Sequence, residues 1–135
     1  MRERKVDPWE IRNYKVQSVV CGEVFGESGL GSHCEYDFHV SGLSGGLIWV
    51  VDHLASGCKI AQFNGQARVR VFIEEIAGYT DWTTSLDVLK SIRDEKFWKE
   101  VQKAAALAET WTPKEAKKLL QMRKQVSLWK EQGVS

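Results

Sequence analysis

The sequence predicts an α+β fold, with a small four-stranded antiparallel sheet followed by three or four helices packed on one face of it. Up to residue 63, apolar residues tend to recur at every second position, which is typical of strands. Beyond residue 64 they recur every three or four positions, which is typical of amphipathic helices. Because 135 residues suit one domain, we expect a single α+β domain over residues 1–135. Its expected parts are an N-terminal arm over 1–13, a sheet over 14–63 and helices over 64–135.

The N-terminal arm is predicted to contain a short helix. Asp7 is a suitable N-cap, Pro8 fits the first helical position, and Glu10 follows three residues after the cap. Only one or two turns are expected before Tyr14. A valine-rich strand is then predicted from Tyr14 to Phe25.

A second strand is predicted after the glycine-rich connection over residues 26–32. Its residues alternate between an apolar set, expected to be buried, and a polar set, expected to face water. The apolar set is Cys34, Tyr36, Phe38 and Val40, and the polar set is His33, Glu35, Asp37 and His39.

The third and fourth strands are predicted to form a hairpin from residues 47–54 and 58–63. The three-residue loop between them places Gly57 where a left-handed backbone conformation is needed. Pairing the strand ends across this loop sets Trp49 opposite Phe63. We expect this aromatic pair to fix the register of the hairpin.

The first helix is predicted to begin after Asn64 as its cap and to end at Gly78. Its apolar stripe is expected to lie on the sheet, whereas Arg70 and Glu74 are expected to form an i, i+4 pair on the solvent side. The stripe consists of Val69, Phe72, Ile73 and Ile76.

Three more helical segments follow. Thr84 and Asp87 resemble a capping arrangement before a short helix, and a longer, alanine-rich helix is predicted over residues 95–109. Thr112 and Glu115 form the clearest capping box of the sequence, with proline between them at the first helical position.

Composition limits the function classes. The chain is 43% hydrophobic and 27% charged, with a formal net charge of +1, so it is expected to be globular and not a dedicated duplex-DNA binder. Its bases concentrate near both ends, and the middle of the chain is acidic. The charged N-terminus and the lack of a long apolar stretch predict a cytoplasmic protein with no membrane association.

The three cysteines, Cys21, Cys34 and Cys58, predict buried free thiols. Their odd number and spacing do not fit a disulfide framework. The glycine-rich segments match neither a Walker A loop nor a dinucleotide fingerprint, and no cofactor is expected.

The sharpest set of candidate ligands is the polar side of the second strand. Imidazole and carboxylate groups at alternate positions suit Zn, Mn or non-haem iron, with His53 or Asp52 as a further ligand. The metal-site hypothesis rests on His33, Glu35, Asp37 and His39. The alternative interpretation, an ordinary solvated strand face, is the commoner case. The hypothesis fails if replacing both strand histidines leaves metal content unchanged.

The last helix is the best predicted partner-binding surface. It combines an aromatic side chain with a basic flank suited to an acidic protein or to phosphate. The residues are Trp129, Lys117, Lys118, Arg123 and Lys124. The alternative is an amphipathic helix that packs on its own domain. With six tryptophans in the chain, we expect one or two at a partner surface.

Three function classes remain. The first is a non-enzymatic interaction module that binds another protein or self-associates. The second is a single-stranded nucleic-acid-binding accessory factor that uses aromatic side chains and basic termini. The third is a small metal-dependent enzyme centred on the histidine-acid strand. Asp52, His53 and Ser56 are not expected to form a triad, because consecutive strand residues point to opposite faces.

Overall fold

The computed structural model describes residues 8–37, 46–92 and 94–131, with side chains at all of these except residues 37, 86, 92 and 127–131. Five strands precede four helices. The strands are β1 (Trp9–Lys15), β2 (Val19–Phe25), β3 (Leu30–Asp37), β4 (Gly46–His53) and β5 (Cys58–Phe63). The helices are α1 (Gln66–Ile76), α2 (Leu86–Ile92), α3 (Glu95–Thr110) and α4 (Pro113–Glu131). The α+β class is confirmed, with five strands instead of the predicted four.

The sheet is an antiparallel meander in which strands pair in sequence order, so that β1 and β5 are its edges. The β2–β3 ladder is the shortest and joins only residues 22–24 to residues 31–33. The neighbouring β1–β2 and β3–β4 ladders each run along whole strands. The sheet is therefore least tightly joined between β2 and β3.

The predicted N-terminal helix is wrong from Pro8 onward, because this segment forms β1. The strand pairs with β2 from Trp9 opposite Phe25 to Lys15 opposite Val19. A helix of one or two turns is marginal by itself, since nucleation is costly. The strand gains a full ladder and places the Trp9 and Phe25 rings 4.9 Å apart. Long-range pairing thus outweighs the local capping pattern.

The predicted β4–β5 hairpin is confirmed near its open end, where Trp49 faces Phe63. Gly57 has a positive φ of 73°, as the loop requires. A register shift after Val51 leaves Ile60 as an extra residue in β5. His53 therefore pairs with the first residue of β5.

The apolar stripe of α1 packs against the sheet, as the sequence predicts. Val69, Phe72, Ile73 and Ile76 are fully buried and share one core with Leu30, Val51 and Phe63. Burying each such side chain contributes about 1.5–3 kcal/mol relative to leaving it in water. Gly65, not Asn64, occupies the N-cap position, and no side chain caps the helix.

Arg70 and Glu74 do not lie on a solvent face, which corrects the prediction for α1. Arg70 donates two hydrogen bonds to Glu23 of β2, at 2.8 and 2.7 Å. Glu74 accepts hydrogen bonds from the Trp9 indole and from Arg123 of α4, both at 3.1 Å. Helix α1 lies between the sheet and α4, so its polar side is also an internal contact.

Helices α3 and α4 both pack on α1. The alanine-rich side of α3 is buried, and Ala116 fixes the start of α4 against α1. The predicted capping box is confirmed: Glu115 N donates to Thr112 Oγ1 at 3.1 Å, and Thr112 N donates to Glu115 Oε1 at 2.9 Å.

The sheet curls strongly toward the face that lies away from α1, which we call the concave face. Tyr14 lies over two glycines there: a Cβ on Gly22 would be 2.8 Å from its hydroxyl, and one on Gly31 would be 3.4 Å from its ring. The same curl brings Gly57, in the β4–β5 loop, against Val16, in the β1–β2 turn. Turns at two opposite corners of the sheet therefore meet.

The predicted alternation of buried and exposed side chains along β3 is wrong: residues 30–33 are all buried, and residues 34–36 are all exposed. His33 is only 4% exposed, whereas Cys34 and Tyr36 are exposed. All three cysteines are exposed free thiols, so the prediction that they are buried is wrong. The physical reason is that α1 covers only part of its face of the sheet, while the curl buries the centre of the other face.

The segment after α1 is held against the loop between β2 and β3. Trp82 is 1% exposed and its indole donates to the Ile76 carbonyl at 2.7 Å. Gly29 has a φ of +86°, and a Cβ on it would meet the backbone of Trp82 at 2.8 Å. The loop therefore needs glycine at this position for two reasons.

We expect Gly29→Ala to lower the free energy of unfolding by roughly 2–4 kcal/mol, from backbone strain and steric overlap together. Gly26→Ala is the matched control: Gly26 also has a positive φ but nothing lies near its added Cβ. It should cost only about 1–2 kcal/mol. Urea denaturation measures both, and equal losses would contradict the contact with Trp82.

Candidate functional site

The polar centre of the concave face is a histidine held between two carboxylates. His33 Nδ1 lies 2.5 Å from Asp52 Oδ2, and His33 Nε2 lies 2.5 Å from Glu35 Oε2. Asp52 is buried, whereas the Glu35 side chain is 52% exposed. Since carboxylates accept hydrogen bonds, a protonated imidazole satisfies both contacts at once.

Tyr14 extends this polar network across the sheet. Its hydroxyl on β1 donates to Asp52 Oδ2 on β4 at 2.7 Å. The side chains of residues that are three strands apart therefore bond directly, over Gly22 and Gly31 of the intervening strands. We call Tyr14, His33, Glu35 and Asp52 the concave-face network.

The electrostatics of this network favour a charged histidine. Burial lowers the pKa of His33, but hydrogen bonds to Glu35 and Asp52 and their negative charges outweigh it, so that its pKa is raised above 6.5. Burial raises the pKa of Asp52 more than its hydrogen bonds from Tyr14 and His33 lower it. Burial and the bond to Asp52 raise the pKa of Tyr14, which keeps its hydroxyl a donor.

The concave-face network is arranged to hold strands together more than to perform chemistry. Both nitrogens of His33 are occupied, so neither is available as a general base while Glu35 stays in place. Two clefts formed by described residues lie elsewhere on the molecule. One, of about 640 Å³, lies between β5 and α3, and one, of about 250 Å³, lies between α1, α3 and α4.

The predicted metal ligands are brought together only in part. His33 and Glu35 meet, and Asp52 joins them as expected, but His53 points to the opposite face of the sheet. His39 and the side chain of Asp37 lie outside the described residues. Over that described part of the chain, no three His, Cys, Asp or Glu side chains are grouped to hold a metal ion. The metal site stays a prediction. To bind a cation there, His33 would have to give up its hydrogen bond to one of the two carboxylates and use the freed nitrogen as a ligand.

His53 makes a second polar contact set, beside the larger cleft. The Ser56 hydroxyl donates to its Nδ1 at 2.7 Å, and its Nε2 donates to the Trp82 carbonyl at 2.8 Å. A serine nucleophile also needs free amides to stabilise an oxyanion. The amides of Ser56 and Gly57 bond to His53 O, and that of Cys58 bonds to the Ser56 hydroxyl. This serine–histidine pair therefore orders the hairpin loop.

The predicted partner-binding residues of α4 do not act as one group. Arg123 is used inside the domain, where it pairs with Glu74 at 3.1 Å. Lys117, Lys118 and Lys124 are exposed, and the side chain of Trp129 lies outside the described residues. The basic flank of α4 thus keeps three of its four predicted cations at the surface.

Four large apolar side chains on the sheet are exposed, and the sequence did not predict this surface. Ile11, Val19, Tyr36 and Leu47 are 76%, 69%, 51% and 62% exposed. Side chains an even number of residues apart on one strand point to the same face of the sheet. Each of these four residues is separated in this way from a residue of its own strand that faces α1, so all four lie on that face, beyond the helix. We call them the apolar sheet patch. Ile11 between Glu10 and Arg12 was the one sequence feature that could have revealed it.

Comparisons of the chain with protein-family models, curated proteins and solved structures each gave no match. Within residues 8–37, 46–92 and 94–131, no helix is both long and apolar enough to cross a membrane.

We expect the free energy of unfolding to fall as pH rises above 6.5, which is the pKa of an unperturbed histidine. A raised pKa in the folded state gives stabilisation that is complete below 6.5 and is lost as pH rises through the folded-state pKa. The raised pKa of Asp52 also lowers stability as pH rises, but this effect begins above 3.8, the ordinary pKa of aspartate. Urea unfolding over a pH series should show this slope and lose most of it in His33→Gln. An unchanged slope in the variant would contradict the charged His33.

Proposed function

We propose that this chain is a non-enzymatic interaction module that binds protein and self-associates. The apolar sheet patch carries the proposal, because its four exposed apolar residues lie on one face and none of them bears a charge. Exposed apolar patches of this kind mark interaction surfaces in soluble proteins. Burying them against a partner removes apolar area from water, at about 25 cal/mol per Å².

Self-association fits the charge balance as well. A formal net charge of +1 gives two copies little mutual repulsion. An uncharged patch also suits its own copy, since twofold interfaces place the same surface on both sides. Interfaces between identical chains are more apolar than the average protein surface. These properties support a second copy as a partner.

The polar clusters support a non-enzymatic role. In the concave-face network, His33 is bonded on both sides, and the hydroxyl of Tyr14 is used by Asp52. Near the larger cleft, the Ser56 hydroxyl is used by His53. Their reactive groups are thus engaged in stabilising the fold.

We expect Ile11→Glu to weaken self-association, because the added carboxylate must be desolvated in the interface. Sedimentation velocity over a concentration series measures the dimer dissociation constant. Met122→Glu on α4 is the matched control, since Met122 is 59% exposed and lies on the helical side. A chain that stays monomeric at all concentrations, or equal effects of the two variants, would refute the proposed role of the sheet patch.

The second candidate is a single-stranded nucleic-acid-binding accessory factor. Its specific support is the exposed set Lys117, Lys118 and Lys124 on α4, which is suited to phosphate contacts. Since α4 packs on α1 at Ala116, this basic side is held on an ordered element.

We expect Lys117→Glu with Lys118→Glu to weaken any binding to a fluorescent single-stranded oligonucleotide, measured by anisotropy over a salt series. Losing two phosphate contacts should reduce the slope of log affinity against log salt by about 1.4. Lys99→Glu with Lys103→Glu on α3 is the control of equal charge, since those lysines pair with acidic neighbours. The absence of binding at low salt would reject this second candidate.

A further inference from the structure

The outer edge of β1 alternates between bonded and open backbone groups. Gly26 N donates to Pro8 O and Val16 N donates to Ser18 O, which extends the β1–β2 register at both ends. In an antiparallel ladder, hydrogen-bonded pairs alternate with non-bonded ones. Even-numbered residues of β1 therefore bond inward to β2, and odd-numbered residues turn their N–H and C=O groups outward.

Ile11 and Asn13 present these open groups at the surface. No hydrogen bond to the backbone of either residue on the outer side is found within the described part of the chain. Both side chains are exposed, and Ile11 is the most exposed large apolar residue described. An edge of this kind is a template for another strand.

We propose that β1 of a second copy of this chain pairs with β1 in antiparallel orientation, with the twofold axis passing between the two Ile11 residues. This inference rests on the proposed function, and it assigns the partner and the geometry. Strand addition to a sheet edge is a common mode of recognition. A twofold axis makes the contact closed and limits it to two copies.

Charge selects this register among the alternatives. Within each chain, Arg12 Nη2 already contacts Glu10 Oε2 at 2.9 Å. With Ile11 opposite Ile11, Glu10 of each copy also lies opposite Arg12 of the other, so the four charges alternate in sign. Shifting the axis to residue 10 sets Glu10 opposite Glu10, and shifting it to residue 12 sets Arg12 opposite Arg12. Shifting one strand by an odd number of residues would place side chains from opposite faces of the sheet opposite each other. Like charges directly opposite are unfavourable, so only the proposed register is complementary.

The same register satisfies the open backbone groups. The two Ile11 residues form a hydrogen-bonded pair, in which each N–H donates to the other C=O. On the face that carries α1, the two Ile11 side chains become neighbours across the interface. The shared sheet then has ten strands, two sets of the five described.

Charge reversal tests the register directly, with sedimentation velocity as the measurement. Glu10→Arg and Arg12→Glu should each weaken the wild-type dimer about tenfold or more, because like charges replace both complementary pairs. The double variant Glu10→Arg with Arg12→Glu should restore it. An equimolar mixture of the two single variants should also form a dimer, since their charges complement each other. Glu109→Arg on α3 makes the same change in net charge and should have little effect.

Ile11→Pro provides a second, independent test. Proline removes an N–H that the monomer does not use, and it is tolerated where that N–H faces away from the sheet. We expect the variant to keep its fold, checked by circular dichroism and urea midpoint, and to lose the dimer.

The outcomes separate this inference from the proposed function. A wild-type dimer that is unchanged by Glu10→Arg and Ile11→Pro would overturn pairing at β1 and leave self-association intact. A wild-type chain that is monomeric throughout would overturn both. Weakening by each single charge reversal, with restoration in the double variant and in the mixture, would establish the register.

Discussion

Tyr14 reaches from β1 to Asp52 on β4, and this contact is possible only because the sheet curls until side chains three strands apart can touch. Gly22 and Gly31 allow the curl, since side chains at these positions would collide with Tyr14 or with the neighbouring backbone. Asp52 then holds His33, which in turn holds Glu35. A buried carboxylate is costly unless its hydrogen bonds are satisfied, and here two donors satisfy it. The concave-face network thus specifies the curvature of the sheet.

That curvature decides which surfaces are open. The concave side buries His33 in the sheet itself, while α1 covers only part of the other side, where it packs on Val51 and Phe63. The apolar sheet patch lies on the uncovered remainder, next to the open edge of β1. The curvature of the sheet therefore engages the groups of the concave-face network in internal hydrogen bonds. It also leaves an apolar surface and a strand edge available to a partner. These consequences support a binding role.

Local patterns in the sequence predicted the helices, the capping box of α4 and the pairing of Trp49 with Phe63. They failed where long-range contacts decide. The capping pattern before Glu10 gives way to pairing with β2. The burial of His33 on the polar side of β3 depends on a curl of the sheet, which period-two alternation does not encode. The contact of Asp52 with His33 was anticipated only as a metal-ligand pair, because direct carboxylate–imidazole bonding has no distinct sequence pattern.

The protonation of His33 at neutral pH tests the account of this network most directly. Nitrogen-15 NMR distinguishes a protonated from an unprotonated ring nitrogen. We expect both nitrogens of His33 to carry protons at pH 7, with hydrogen bonds to Asp52 and Glu35. We expect Asp52→Asn to lose this doubly protonated state. A neutral ring with one bare nitrogen at pH 7 would contradict the closed network and, with it, the stated reason for the curl of the sheet.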